Sequence, residues 1–343
     1  MPSLPFTLRG ILLLRLIFGL YYKCSNSIAV SVILQIYCIT SCLLLYPQFY
    51  VLSKFGDDVS LLVKIIYILV IVVECTINIL LSLATEEKPI IKYFTLSPST
   101  IEKNLHFYVC YFSTFITAIL NITMFISYIN AFDFVTNFWY NYLNTVSFLG
   151  RITVICITEH YNKAVKDLCK ALKDKLGDAR TNGSDAEKSR HIQDFIYGFT
   201  KTDKALNKTT THLRIKMISS CGCEFLKILS AIFYLNTLPH VYFNDEYAWI
   251  LSLAYSSVIL STPMLLMELT ANDLDETKKL ISEQLLSYTD KTLRITIHEA
   301  VEYINTASSR HTLWNGCPMK ISLVLNFINL CVNYVIATLQ FLY

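Results

Sequence analysis

The segment from Met319 to Tyr343 reads MKISLVLNFINLCVNYVIATLQFLY, and beyond Lys320 it carries no charge. A helix of about 20 apolar residues crosses the hydrocarbon core of a bilayer, so this segment is long enough to span one. Its polar residues are not scattered. Ser322, Asn326, Asn329, Asn333 and Gln340 recur at helical spacing, and at 100° per residue they fall within about 60° of one another. Five polar groups on one side of a membrane helix cannot face lipid cheaply. They either bond to neighbouring helices or face water. Spacing alone leaves both readings open. In the second, a stripe facing a symmetry axis would form rings of uncharged amides. Such rings replace part of an ion's hydration shell without holding it tightly.

The rest of the chain agrees with a lipid setting. Its 343 residues have 54% hydrophobic and 16% charged composition, and the mean hydropathy is +0.45. Ordinary soluble domains carry about 25% charged residues. Six further apolar stretches lie at 27–46, 59–84, 105–129, 132–157, 225–243 and 246–269. The expected fold is therefore an all-α membrane protein with seven transmembrane helices. Residues 1–26 form a cytoplasmic or interfacial N-terminal segment, and 27–157 hold transmembrane helices 1–4. Residues 158–224 form a cytoplasmic helical segment in which Gly177 ends a helix and 178–190 is a mobile loop. Residues 225–269 hold helices 5 and 6, 270–318 form a cytoplasmic anchor segment, and 319–343 form helix 7.

Basic residues set the orientation, because Lys and Arg concentrate in cytoplasmic loops. With the N-terminus cytoplasmic, only Lys54 of the 29 Lys and Arg falls in an outer loop. Lys64, Arg151 and Lys227 lie within spans, near their ends, and are expected to snorkel. The C-terminus then lies outside. Amphipathic runs in 151–176, 195–217 and 274–306 need packing partners outside lipid, which a cytoplasmic helical bundle supplies. The 11 cysteines lie almost wholly in apolar or cytoplasmic segments and do not read as a disulfide framework.

The last span also carries a family resemblance. Asn333-Tyr334-Val335-Ile336-Ala337-Thr338-Leu339-Gln340-Phe341 resembles the C-terminal signature of the insect gustatory receptors: Thr-Tyr, five apolar residues, then Gln-Phe. Tyr334, Gln340 and Phe341 match. Asn333 stands where Thr is usual, and Thr338 is polar among the five. The resemblance implies a ligand-gated, nonselective cation channel in the plasma membrane of chemosensory neurons, built as a homotetramer or as a heterotetramer with related subunits. It implies that helix 7 of each subunit lines the pore, that Gln340 and Phe341 form the extracellular gate, and that Tyr334 packs the pore helix. Asn326, Asn329, Asn333 and Ala337 are the further candidate pore positions.

Ligand candidates come from the outer halves of spans two to six, which are rich in aromatic residues. They are Tyr67, Phe125, Tyr128, Trp139, Tyr142, Tyr234, His240, Trp249 and Tyr255, with Asn121, Asn144 and Asn236 as uncharged hydrogen-bonding groups. Rings of this kind suit an apolar or aromatic small molecule, and acidic residues are nearly absent there. The expected ligand is thus a bitter-type compound rather than a sugar. Glu74, inside span two, is a further candidate, because an intramembrane carboxylate is a functional position by default. It would contact ligand, pair with a basic group or be protonated.

Other classes fit less well. A G-protein-coupled receptor needs the opposite orientation, and neither Asp-Arg-Tyr nor Asn-Pro-x-x-Tyr occurs at the required place. A transporter predicts repeats, broken helices or more intramembrane charge. No zinc-protease, phosphate-loop or nucleophile-elbow motif is present, so no enzyme activity, cofactor or metal is expected. The net charge of +3 gives no case for nucleic acid.

Overall fold

A computed structural model describes residues 6–25, 27–46, 59–85, 88–96, 108–127, 134–182, 184–237, 247–287, 291–308, 312–314, 317–319 and 321–342. Eleven helices occur among them. In chain order they are α1 (Phe6–Ile17), α2 (Ile28–Leu43), α3 (Val59–Thr85), α4 (Lys88–Leu96), α5 (Tyr108–Ser127) and α6 (Phe134–Asn182), followed by α7 (Asp185–Asn207), α8 (Thr210–Thr237), α9 (Tyr247–Ser287), α10 (Lys291–Ser308) and α11 (Ile321–Leu342). Between α10 and α11 lies a short antiparallel pair, β1 (Thr312–Trp314) and β2 (Cys317–Pro318), with Thr312 opposite Pro318 and Trp314 opposite Cys317. This pair is confined to five residues between two helices, and the all-α class stands. The pair is legible in the sequence, since Asn-Gly separates the two strands, a dipeptide strongly favoured in two-residue hairpins.

By length and composition, three described helical segments suffice to cross a membrane: Ile68–Thr85, Tyr108–Ser127 and Ile250–Glu283. Ile28–Leu43 and Ile321–Tyr334 are shorter apolar helices. The stretches within α6 and α8 are not among these three; Arg151 lies buried in the one, and Glu224 and Lys227 in the other.

α6 has 49 residues, about 74 Å at 1.5 Å per residue, and so extends well beyond a bilayer. It does not stop at Gly177. Helix continues to Asn182, because a single glycine costs only about 1 kcal/mol. The chain restarts at Ser184, whose hydroxyl accepts from Glu187 N while the Glu187 carboxylate accepts from Ser184 N. This capping box puts the start of α7 inside the stretch expected to be a mobile loop.

Past residue 157, α6 packs with α4 and α7, and α7 in turn packs on α10, around Tyr93, Tyr161, Leu172, Phe195, Phe199, Ile297 and Ile304, all buried. His160 sits in this layer with Nδ1 3.0 Å from the Tyr93 hydroxyl and its ring edge-on to both Tyr93 and Phe94. Burial, reinforced by Lys163, lowers its pKa to about 4. Next to it, Glu159 accepts from Val109 N (2.8 Å) and Cys110 N (3.1 Å). A carboxylate at a helix start meets otherwise orphaned N–H groups, so α6 fixes where α5 begins.

Two glycines are required by close approach. Gly19 has φ +81°, and a Cβ there would come within 2.9 Å of Ser41 Cβ; it turns the chain from α1 back toward α2. Gly150 faces Asn78, whose amide would meet a Cβ at 2.4 Å.

Candidate ligand cavity and its charge cluster

Four charged side chains meet inside the helical bundle. Glu74 comes from α3, Arg151 from α6, and Glu224 and Lys227 from α8. Each carboxylate is fully buried and each cation is 5% exposed. Arg151 donates from Nε and Nη2 to Glu74 Oε1, at 2.8 and 2.6 Å, and from Nη2 to Glu224 Oε2 at 2.8 Å. Its Nη1 donates to the Ser256 hydroxyl (2.7 Å) and carbonyl (3.2 Å) on α9. Lys227 Nζ reaches Glu74 Oε2 at 2.7 Å and Glu224 Oε2 at 3.5 Å. Ser256 Oγ donates to Glu224 Oε2 at 2.8 Å, and Ser257 Oγ to Glu224 Oε1 at 3.4 Å. Two cations and two carboxylates cancel, and hydroxyls from α9 complete the network. Buried charge is tolerated only when paired and hydrogen-bonded in this way.

A cavity opens against this cluster. It is a small recess, partly open to the outside, with about 40 Å³ of space inside for water-sized molecules. Thr117, Leu120 and Asn121 from α5 line it, with Asn144, Ser147, Phe148 and Arg151 from α6, Lys227 from α8, and Ser252, Tyr255, Ser256 and Ile259 from α9. Only Leu120, Phe148 and Ile259 among these are free of polar side-chain atoms. Some of the polar groups are committed. Tyr255 donates to the Ser113 carbonyl (2.6 Å) and accepts from Thr117 Oγ1 (3.2 Å), and Asn121 Nδ2 donates to Thr145 Oγ1 (2.9 Å). Asn144 Nδ2 is buried without a partner, a donor available to whatever enters.

Of the ligand candidates named from sequence, Asn121, Asn144 and Tyr255 line this cavity and Glu74 holds its two cationic walls, while the side chain of Asn236 lies outside the described residues. Three others do not reach it. Phe125 packs edge-on to Phe134, while Trp139 contacts Phe138 and Tyr142. Tyr142 stacks on Phe18 and donates to the Phe18 carbonyl at 3.3 Å, tying α6 to the turn after α1. Tyr128 and His240 lie outside the described residues, as do the side chains of Lys64, Tyr67, Tyr234, Trp249 and Phe341. The expectation that Arg151 and Lys227 snorkel is corrected, because both turn inward to Glu74 and Glu224. The missed signal was charge balance. The spans hold Glu74, and Glu224 lies at a span's edge three residues from Lys227 on one helix face, so each cation has a carboxylate available.

α11 lies against α8 and α9. Phe327 meets Phe225 of α8 edge-on at 5.4 Å, and Glu268 of α9 accepts from Ile321 N at 2.7 Å, at the first residue of α11. Cys331 is buried and Val324 is partly buried on the same side. Ser322, Asn326, Asn329, Asn333, Ala337 and Gln340 are all exposed, and by helical geometry they lie roughly opposite that packing side. Leu325, Ile328, Val332, Tyr334 and Ile336 beside them are exposed as well.

No family model matches the sequence, and no curated protein matches it. Its structure is similar to that of the insect olfactory receptor OR5 from Machilis hrabei, at a TM-score of 0.71 with 11% identity over 97% of each chain. The same receptor in complex with eugenol aligns at a TM-score of 0.64, with 12% identity over 97% of each chain. The chain therefore shares the fold of that receptor along nearly its whole length.

Proposed function

We propose that this chain is a chemoreceptor subunit of the gustatory type, forming a ligand-gated, nonselective cation channel in the plasma membrane. The observation that carries the reading is the placement of the α11 amides. Within the subunit they do not serve as helix–helix glue, since the side bearing them faces away from α8 and α9. A polar stripe with apolar flanks, left uncovered on a membrane helix, calls for water on one side and further subunits beside it. Four copies around an axis, identical or mixed with related subunits, provide both. Gln340 and Phe341 are then the outer gate, and Tyr334 packs between pore helices.

The ligand site is the cavity between α5, α6, α8 and α9. Its lining favours a more polar occupant than the aromatic residues of the sequence suggest. The charge cluster sums to zero, so an ionised ligand would have to compete with Glu74 and Glu224 for their partners or with Arg151 and Lys227 for theirs. A small, uncharged molecule with hydroxyl or amide groups meets Asn144 and Asn121 without that cost. A bitter-type compound is retained as the second reading, supported by Phe148 and Tyr255 in the lining.

Epitope tags at the two ends test the arrangement. Labelling of a C-terminal tag on intact cells, with an N-terminal tag silent until permeabilisation, is the expected result. The reverse pattern would overturn the orientation and, with it, the outer gate.

A further inference from the structure

Cys110 of α5 and Cys156 of α6 face each other with their sulfurs 3.1 Å apart. Both are free thiols and both are fully buried. A disulfide holds its sulfurs at about 2.05 Å, so a closing movement of about 1 Å joins them, within reach of small side-chain rotations. A second contact keeps the two helices in this register. Glu159, one turn beyond Cys156, accepts from Val109 N and Cys110 N. Cys110 is also only the third residue of α5, and Tyr108 and Tyr111 beside it are exposed. A small uncharged oxidant therefore reaches the seam when the first turn of α5 opens. The buried Arg15 guanidinium and the Glu159 carboxylate both act on Cys156. A nearby cation favours the thiolate that reacts, and the carboxylate is taken up by its two N–H donors.

We propose that Cys110 and Cys156 form a reversible dithiol–disulfide site, which a peroxide closes to bond α5 covalently to α6. One thiolate attacks a peroxide oxygen, the O–O bond breaks, and a sulfenic acid and water result. The second sulfur attacks the sulfenic sulfur, the S–S bond forms, and hydroxide leaves with the second thiol's proton as water. Two thiols and one peroxide thus give one disulfide and two waters, and a thiol reductant reverses the change. The bond matters to the cavity because Thr117, which lines it, lies seven residues beyond Cys110 on the same face of α5, with Leu120 and Asn121 following. An occupant larger than the recess must part α5 from α6, and the disulfide opposes that movement. The site itself stands apart from the channel reading; only its effect on ligand entry rests on it.

The test exposes intact cells expressing the full-length receptor to hydrogen peroxide. Remaining thiols are trapped with N-ethylmaleimide under denaturing conditions, and the digested chain is read by mass spectrometry with and without dithiothreitol. The expected result is a linked 110–156 peptide in at least about half of the chains, lost on reduction, at a dose that leaves Cys75 and Cys169 almost wholly alkylated. Hydrogen exchange over 108–121 in the oxidised protein should slow at least fivefold, with no change in C110S or C156A given the same dose. Oxidation of Cys75 or Cys169 before this pair, sulfinic acid at either sulfur without a linked peptide, or a link to another cysteine would overturn the site. A linked protein with unchanged exchange over 108–121 would overturn the lock. None of these outcomes touches the channel reading, which the epitope tags test separately.

Discussion

Arg151 on α6 donates from two nitrogens to one carboxylate oxygen of Glu74 on α3, and a third bond from the same guanidinium runs to Glu224 on α8. One side chain thus joins three helices at the wall of the cavity. The planar fork of arginine suits this role, and the point charge of lysine does not replace it.

The first prediction concerns that junction. Truncating Glu74 to alanine leaves Arg151 and Lys227 buried with one carboxylate between them, a loss of about 3–5 kcal/mol by analogy with broken buried pairs. R151M should cost a similar amount. Combining E74Q with R151M should recover part of the loss, because fewer charges remain unpaired. Thermal stability of the detergent-solubilised protein, read by fluorescence-detected size exclusion, checks the order of the three.

A second prediction follows from Gly150. G150A drives a Cβ into the Asn78 amide, and overpacking of this kind typically costs about 1–3 kcal/mol. Asn78 is buried and neither of its amide atoms has a partner, so N78A alone should cost little. In the N78A background the G150A penalty should largely vanish, measured on the same stability scale.

The layer packed on α6 beyond residue 157 should loosen in acid. His160 titrates at about 4 in the folded chain against about 6.5 unfolded. Between those values the unfolded state binds more protons, so stability falls as pH drops from 6.5 toward 4, by roughly 3 kcal/mol in all. Glu159, whose carboxyl burial pushes upward, works in the opposite sense just above the ordinary carboxylate range. Hydrogen exchange of α6 beyond residue 157, compared between pH 7 and 5, should show faster opening at pH 5. H160N should flatten that difference.

At the base of α11, E268A removes the carboxylate that meets Ile321 N. Losing such a cap costs about 0.5–2 kcal/mol. The expected signature is raised exchange confined to the first turn of α11, with E268Q intermediate.

Much of the architecture could be read from the chain. Helices take up most of the described residues in each of the seven apolar stretches, and the amphipathic run Tyr161, Leu168, Leu172 and Leu176 is helix, three of its four residues buried. The long reach of α6 was not legible, because Gly177 and the polar residues after it resemble a helix end and only packing decides otherwise. The ligand cavity was half legible. Asn121, Tyr255 and Glu74 were identifiable by type and depth. Phe125, Trp139 and Tyr142 are equally aromatic and equally deep but pack on neighbours, and periodicity does not say which neighbour a ring meets. Asn144 was identifiable as well, whereas Ser147 and Ser252 gave no signal at all, since short polar side chains in spans usually bond within their own helix.

The central claim is that the amide side of α11 faces a water-filled ion path. Cysteine substitution at Asn329 and at Ile328, which project on different sides of α11, tests it in current recordings with a charged, membrane-impermeant methanethiosulfonate added outside. Rapid block or change of the N329C current, with the I328C current unaffected at equal surface expression, is the predicted result. Modification of I328C with N329C silent would place water on the apolar flank and contradict the account.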